Sequence, residues 1–199
     1  MNTSVCIALR DDLQLIYDWI PERSRVLDLG CGGGELLAAL TAQKNCQGYG
    51  VEIDTDSVLA AMTRGVNVIQ ADLEQGLRRF EEASFDVIVL SQTIQAMQNT
   101  ETILQGMRRV AKQAIVSFPN FGYWRNRLQI GLFGHMPVSE HMPYQWYNTP
   151  NIHWCTLEDF ERLCAKNQLT VLERAVMSEH KRITRFPNWR GSLAFYRVG

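Results

Sequence analysis

The sequence predicts an α/β fold of the doubly wound, Rossmann-like kind: a mostly parallel sheet with helices on both faces. Two observations predict it. From Arg25 onward, apolar runs of strand length alternate with stretches of helical periodicity, the pattern of strands joined by crossover helices. The first of those runs, RVLDLG, leads into a turn with glycines at alternating positions, Gly30, Gly32 and Gly34, just before a helix, which is where α/β proteins bring a backbone close to a ligand. With 199 residues, 46% of them hydrophobic, the chain can bury a sizeable core and is expected to form one domain over 1–199.

Each element follows from its pattern. Leu13, Ile16, Tyr17 and Ile20 recur at helical spacing and stop at Pro21. RVLDLG reads as a buried strand, ELLAALTAQK as a helix, GYGVEI as a strand, and TDSVLAAMTR as a helix closed by Gly65. VNVIQ, FDVIVLS and QAIVSF are three further strands, with the helix TETILQGMRRVA between the last two. Between Ser117 and Trp154 lie four of the six prolines, with Trp124, Trp146 and Trp154; no long regular element is expected there, and residues 119–155 read as an aromatic, proline-rich insertion or cap. Thr156 with Asp159 forms a capping-box pattern ahead of the helix LEDFERLCAKNQ. LTVLERAVMSE and SLAFYRV then close the chain as an antiparallel pair. The sum is a seven-stranded sheet whose final strand is antiparallel.

Composition narrows the function. A net charge of −1 supplies no field for nucleic acid or an anionic membrane, and no segment reaches the roughly 18 apolar residues of a membrane span. The first nine residues lack the basic and apolar regions of a signal peptide and read as a disordered extension. Five cysteines without a two-residue spacing predict reduced thiols in a cytoplasmic protein. His135, His141 and His153 have no metal-ligand spacing, so no metal is expected.

The glycine turn lacks a third glycine three positions beyond Gly32, where Glu35 stands. That weakens a dinucleotide reading. Asp28 weakens it further, because a carboxylate aimed at the loop repels a pyrophosphate and suits a ligand carrying an ammonium group, as S-adenosylmethionine does. Asp54 and Asp56 open a helix, where an acid is ordinarily a cap or a dipole partner.

With Asp28, Gly30, Gly32 and Gly34 in the form D-x-G-x-G-x-G, the chain resembles the class I S-adenosylmethionine-dependent methyltransferases. The resemblance implies that Glu52, ending GYGVE, bonds the ribose hydroxyls of S-adenosylmethionine or S-adenosylhomocysteine. It implies also that Ile53 packs on the adenine, that Asp72 and Leu73 of QADLEQG meet the adenine edge, and that Ser91 and Gln92 meet the methionine part. The place after the fourth strand holds SQTIQAM rather than an Asn-Pro-Pro-aromatic motif, which argues against nucleic-acid amino groups as acceptors.

The segments RDDLQLIYDWIP, VLDLGCGGGELL, GYGVEID, VNVIQADLEQGL, FDVIVLSQTIQAM, SFPNFGYWRNR and HMPVSEHMPYQWYNTPNIHWCTLEDFERLC are similar to the MetW family of methionine biosynthesis proteins. The chain departs from that family in its first nine residues and at Gly33, where an acid is common. The resemblance implies association with, and activation of, a MetX-type homoserine O-acyltransferase; it names no methyl acceptor. Methyl transfer needs little beyond alignment and exclusion of water, so no catalytic residue is assigned. Methyl transfer to a small molecule is the alternative expectation, and sensing of S-adenosylmethionine for the acyltransferase is a third. Trp124, Trp146 and Tyr147 are the expected partner anchors, and His153 and Tyr144 the candidate proton acceptors.

Overall fold

The computed structural model describes residues 9–73 and 77–199. Residues 1–8 of the expected nine-residue extension, with Cys6, and residues 74–76 of the QADLEQG motif lie outside them. The chain divides into two compact units, one made of the residues up to Ser91 with Thr102–Ile115, the other of Gln92–Glu101 with Val116–Gly199.

The first unit begins with α1 (Asp11–Trp19), which turns Leu13 and Ile16 inward. β1 (Arg25–Leu29) follows and is buried from Val26 on, as a continuous apolar run covered on both faces should be. Next come α2 (Glu35–Lys44), β2 (Gln47–Glu52), α3 (Thr55–Thr63), β3 (Asn67–Gln70), a 3₁₀ turn at Leu77–Arg79, and β4 (Phe85–Ser91). α4 (Thr100–Val110) buries Ile103, Leu104, Met107 and Val110, and β5 (Ala111–Pro119) begins here and continues in the second unit. Strand order is β3-β2-β1-β4-β5. β1 lies parallel to β2 and to β4, and β2 parallel to β3.

The second unit contains the end of β5, α5 (Trp124–Phe133), α6 (Leu157–Lys166), β6 (Val171–Ser178), β7 (Lys181–Arg182), the short α7 (Pro187–Arg190) and β8 (Leu193–Val198), with strand order β5-β8-β6-β7. β6 pairs antiparallel with both β8 and β7. Phe118, Phe160 and Tyr196 stack together in the core, with ring centroids 4.8–5.8 Å apart. The expected capping box is present: Thr156 Oγ1 accepts from the Asp159 N–H, and Asp159 accepts from the Thr156 N–H.

Two expectations need correction. The sheet has eight strands, not seven, because β7 returns along β6 through a turn in which Glu179 and His180 both adopt positive φ. That is the backbone of a two-residue hairpin, but it carries none of the glycine or asparagine that would advertise it. The second correction is α5, a ten-residue helix inside the stretch expected to hold no long regular element. Its residues, WRNRLQIGLF, lie between Pro119 and Pro137 and contain no proline, and Gly134 ends the helix at φ +66°. It escapes the sequence because its apolar residues do not line one face.

Candidate functional site

Parallel pairing in register brings the motif residues of the first unit to one edge of its sheet. Leu29 lies beside Val51 and Leu90, and Glu52 beside Gln70. The residues that follow these strand ends, Gly30 after β1, Ile53 after β2 and Asp72 after β3, therefore emerge at the same carboxyl edge as Glu52 and Ser91. This is the position at which open α/β sheets bind ligands.

The loop between β1 and α2 is held by backbone and by Glu52. The Gly30 and Cys31 N–H groups donate to the Val51 carbonyl at 2.8 and 3.2 Å. Gly30, Gly32 and Gly34 all take positive φ, a conformation that side chains disfavour. At Gly34 a Cβ would lie 3.0–3.3 Å from Val66 and the Ala61 backbone, so glycine lets α2 start close against α3; at Gly32 it would meet nothing within 4 Å, so the loop faces open space there.

Glu52 does more than the sequence suggests. Its Oε2 accepts from the Gly32 N–H at 2.9 Å, while Oε1 accepts from the Ile53 and Asp54 N–H groups at 2.8 and 3.0 Å. A carboxylate has about four acceptor positions, so much of this one's capacity already organises the loop. Ile53 is exposed, Leu73 is buried, and Asp72 is exposed. Ser91 is half-buried at the end of β4. Asp54 is the cap of α3 that the sequence predicts, accepting from the Ser57 N–H.

Asp28 is the electrostatic centre of the loop. It is the penultimate residue of β1, 4% exposed, and burial together with the nearby Glu52 and Glu35 charges pushes its carboxyl up to about 7. A cation in front of the loop would relieve that mutual repulsion. The Cys31 thiol is pushed up to about 12 by burial and by the Asp28, Glu52 and Glu35 charges, which keeps it protonated at neutral pH. Four described cysteines, Cys31, Cys46, Cys155 and Cys164, are free. Among the described residues no three His, Cys, Asp or Glu side chains are grouped to hold a metal ion, and no helix is long and apolar enough to cross a membrane.

Sequence reasoning missed three supporting residues. Gly50 in β2 leaves room for Cys31, whose sulfur a Cβ would overlap; its signal is a glycine inside a strand. Arg64 donates to the Gly33 carbonyl at 3.0 Å and pairs with Glu35 at 3.0 Å, a distant contact with no local signature. A Cβ at Gly33 would crowd those same two side chains, so this ion pair fills the space where an acid at position 33 would begin.

The third is Gln95, in the second unit. Its Nε2 donates to the Gln92 carbonyl at 2.7 Å, and its own carbonyl accepts from the Ile152 and His153 N–H groups at 2.8 and 2.9 Å. Gln92 itself sits at φ +50°, held by N–H donation to the Ser117 carbonyl and hydroxyl at 2.9 and 3.1 Å. The loop after β4 is thus tied to the end of the aromatic segment. Of the expected anchors, Trp146 and Tyr147 are exposed, whereas Trp124 is half-buried beside Tyr123. His153 and Tyr144 are exposed.

Known proteins match both the fold and the chain. The structure is similar to a S-adenosylmethionine-dependent methyltransferase from Archaeoglobus fulgidus, with a TM-score of 0.72 and 13% identity, covering 94% of this chain and 90% of that one. It is similar also to a S-adenosylmethionine-dependent methyltransferase from Thermotoga maritima, described as a possible histamine N-methyltransferase, with a TM-score of 0.68, 20% identity and coverage of 94% and 86%. At these identities the likeness establishes the class I methyltransferase fold. In sequence, the chain is 37% identical over 176 residues to the bifunctional methionine biosynthesis protein MetXA/MetW of Rhodopirellula baltica, covering 84% of this chain and 28% of that protein's length. The sequence model of methionine biosynthesis protein MetW matches residues 10–198, and the chain belongs to the MetW family.

Proposed function

We propose that this chain acts in methionine biosynthesis as the partner of a MetX-type homoserine O-acyltransferase and raises that enzyme's rate. The observation that carries this reading is the Rhodopirellula baltica relative, in which a MetW part is joined to a MetXA part in one polypeptide. Joining two chains turns their encounter into an intramolecular event, which benefits proteins that work in contact.

S-adenosylmethionine or S-adenosylhomocysteine is the proposed ligand of the glycine loop. Asp28 and Glu52 supply negative charge for a cation, the open space over Gly32 admits a ligand, and exposed Ile53 offers an apolar surface to an adenine ring. In this reading Glu52 holds the ribose, Asp72 and Leu73 border the adenine, and Ser91 borders the methionine part. When bound, S-adenosylmethionine would supply a sulfonium methyl group for transfer. Methyl transfer to a small molecule is the second reading, favoured by the fold and by this acid-and-glycine edge. Sensing joins the two if the ligand binds free and partnered protein with different affinity.

The experiment is to purify this chain and the acyltransferase of the same cell, mix them, and assay homoserine acylation with and without S-adenosylmethionine. Co-elution and a raised rate are expected. An unchanged rate at saturating chain, with no co-elution, overturns the partner reading and leaves methyl transfer ahead. A rate raised equally with and without ligand keeps activation and removes sensing.

A further inference from the structure

We infer that the acyltransferase docks on the second unit, through the exposed apolar side chains of α5 and the turn at residues 145–148. This rests on the partner reading above. It assigns that reading to a surface distinct from the glycine loop.

α5 lacks the inward apolar stripe that holds a free surface helix in place. An amphipathic helix normally turns its apolar stripe inward and its polar residues out. Here the buried residue of the helix is polar, Asn126, whereas Leu128, Ile130, Leu132 and Phe133 are exposed, the last two at 70% and 67%. Ten residues are too few to hold a helix in water by backbone bonding alone. The orientation is set instead by polar and ring contacts. Asn126 donates to the Asn120 carbonyl at 3.2 Å, and Arg127 donates to the Gly122 carbonyl at 2.6 Å while lying over the Trp189 ring. Gln129 exchanges hydrogen bonds with the Val138 backbone, and Arg125 pairs with Glu179 at 3.0 Å. The tethers hold the helix with its apolar side chains outward.

The second element has the same character. The Asn148 N–H donates to the Gln145 carbonyl, and Asn148 Oδ1 accepts from the Gln145 N–H. This closes a tight turn whose two central residues are Trp146 and Tyr147, 71% and 70% exposed. Central turn positions ordinarily go to proline, glycine, asparagine or aspartate. Two large rings there, edge to face at 5.8 Å, are preorganised in the manner of binding anchors. Both cations of α5 are engaged within the unit, so its exposed apolar side chains suit an uncharged protein surface rich in aromatic and aliphatic groups rather than a phosphate-bearing one. The occupant proposed is the MetXA class of protein, because a MetXA part is joined to a MetW part in the Rhodopirellula baltica relative.

The test uses the full chain, its acyltransferase and three double variants. Leu132→Ala with Phe133→Ala, and Trp146→Ala with Tyr147→Ala, change the proposed surface. Leu59→Ala with Met62→Ala changes comparably exposed apolar residues of α3 in the first unit and serves as the control. Binding by calorimetry is expected to weaken about thirtyfold or more for the first two pairs and to stay within about twofold for the control, with circular dichroism and Tm of the first two pairs matching the parent. If the parent binds and both surface variants bind as tightly, the docking surface is wrong and the partner reading stands. If the parent does not bind, the partner reading itself fails and takes the surface with it. Self-association of the chain alone, lost in the same two variants, would assign the surface to a second copy and overturn the proposal.

Discussion

The glycine-loop edge and the aromatic segment solve opposite problems. At the first, side chains are removed so that backbone can pack and bond: Gly30, Gly32 and Gly34 take positive φ, and Glu52 gathers three N–H groups. At the second, side chains are displayed while polar tethers hold the backbone: Asn126, Arg127 and Gln129 bond inward and Leu132, Phe133, Trp146 and Tyr147 face out. A substitution at the loop should therefore register in folding, and one at the display should register only in association.

The largest expected effect lies at Asp28. Its carboxyl is raised from the ordinary 3.8 to about 7 by burial and by the acids beside it, so between those values the folded state holds a proton that the unfolded state has lost. Stability without ligand should fall as pH rises from about 4 to about 7 and stay flat above. At roughly 1.4 kcal/mol per unit this amounts to about 4 kcal/mol. Urea denaturation of parent and Asp28→Asn across that range checks it: the pH-dependent difference should vanish in the variant, and equal slopes would break the electrostatic account. A cationic ligand should bind the parent more tightly as pH rises through 7.

Gly34→Val comes next. The new side chain would combine a disfavoured φ with contacts at 3.0–3.3 Å to Val66 and Ala61, for a loss of about 3 kcal/mol. A shift in the urea midpoint at unchanged slope measures it. A loss below about 1 kcal/mol would mean that α2 and α3 can separate without cost.

Glu52→Ala should cost about 1–3 kcal/mol, since it leaves three loop N–H groups without their acceptor. Because that change loosens the loop itself, weaker ligand binding would not by itself locate the ribose. A double cycle does: a deoxyribose analogue of S-adenosylhomocysteine should lose affinity for the parent and lose nothing further for Glu52→Ala. An equal loss in both would move the ribose elsewhere.

The smallest stability effect belongs to the display. Trp146→Ala should change stability by about 0.5 kcal/mol or less, because a 71% exposed ring gives up little burial on truncation. A loss above about 2 kcal/mol, read by the same denaturation, would place the ring in the core and erase the contrast between the two regions.

Periodicity and local chemistry made much of this molecule legible. The buried runs of β1 and β4, the stripe of α1, the Thr156 capping box and the Asp54 cap could all be read because each depends on neighbours within a few residues. The resemblance to MetW, carried by motifs along the chain, is likewise a property of sequence, and the match over residues 10–198 agrees with it. Only the tertiary structure decided the rest. That Glu52 bonds the loop, that Arg64 reaches Gly33, and that burial beside two acids raises Asp28 are consequences of strands meeting across long sequence separations. The hairpin at Glu179–His180 lacked turn residues, and α5 lacked an apolar stripe. In α5 the local signal was absent for a physical reason: its orientation is imposed by Asn120, Gly122, Val138 and Glu179, partners outside the helix whose positions its own sequence cannot encode.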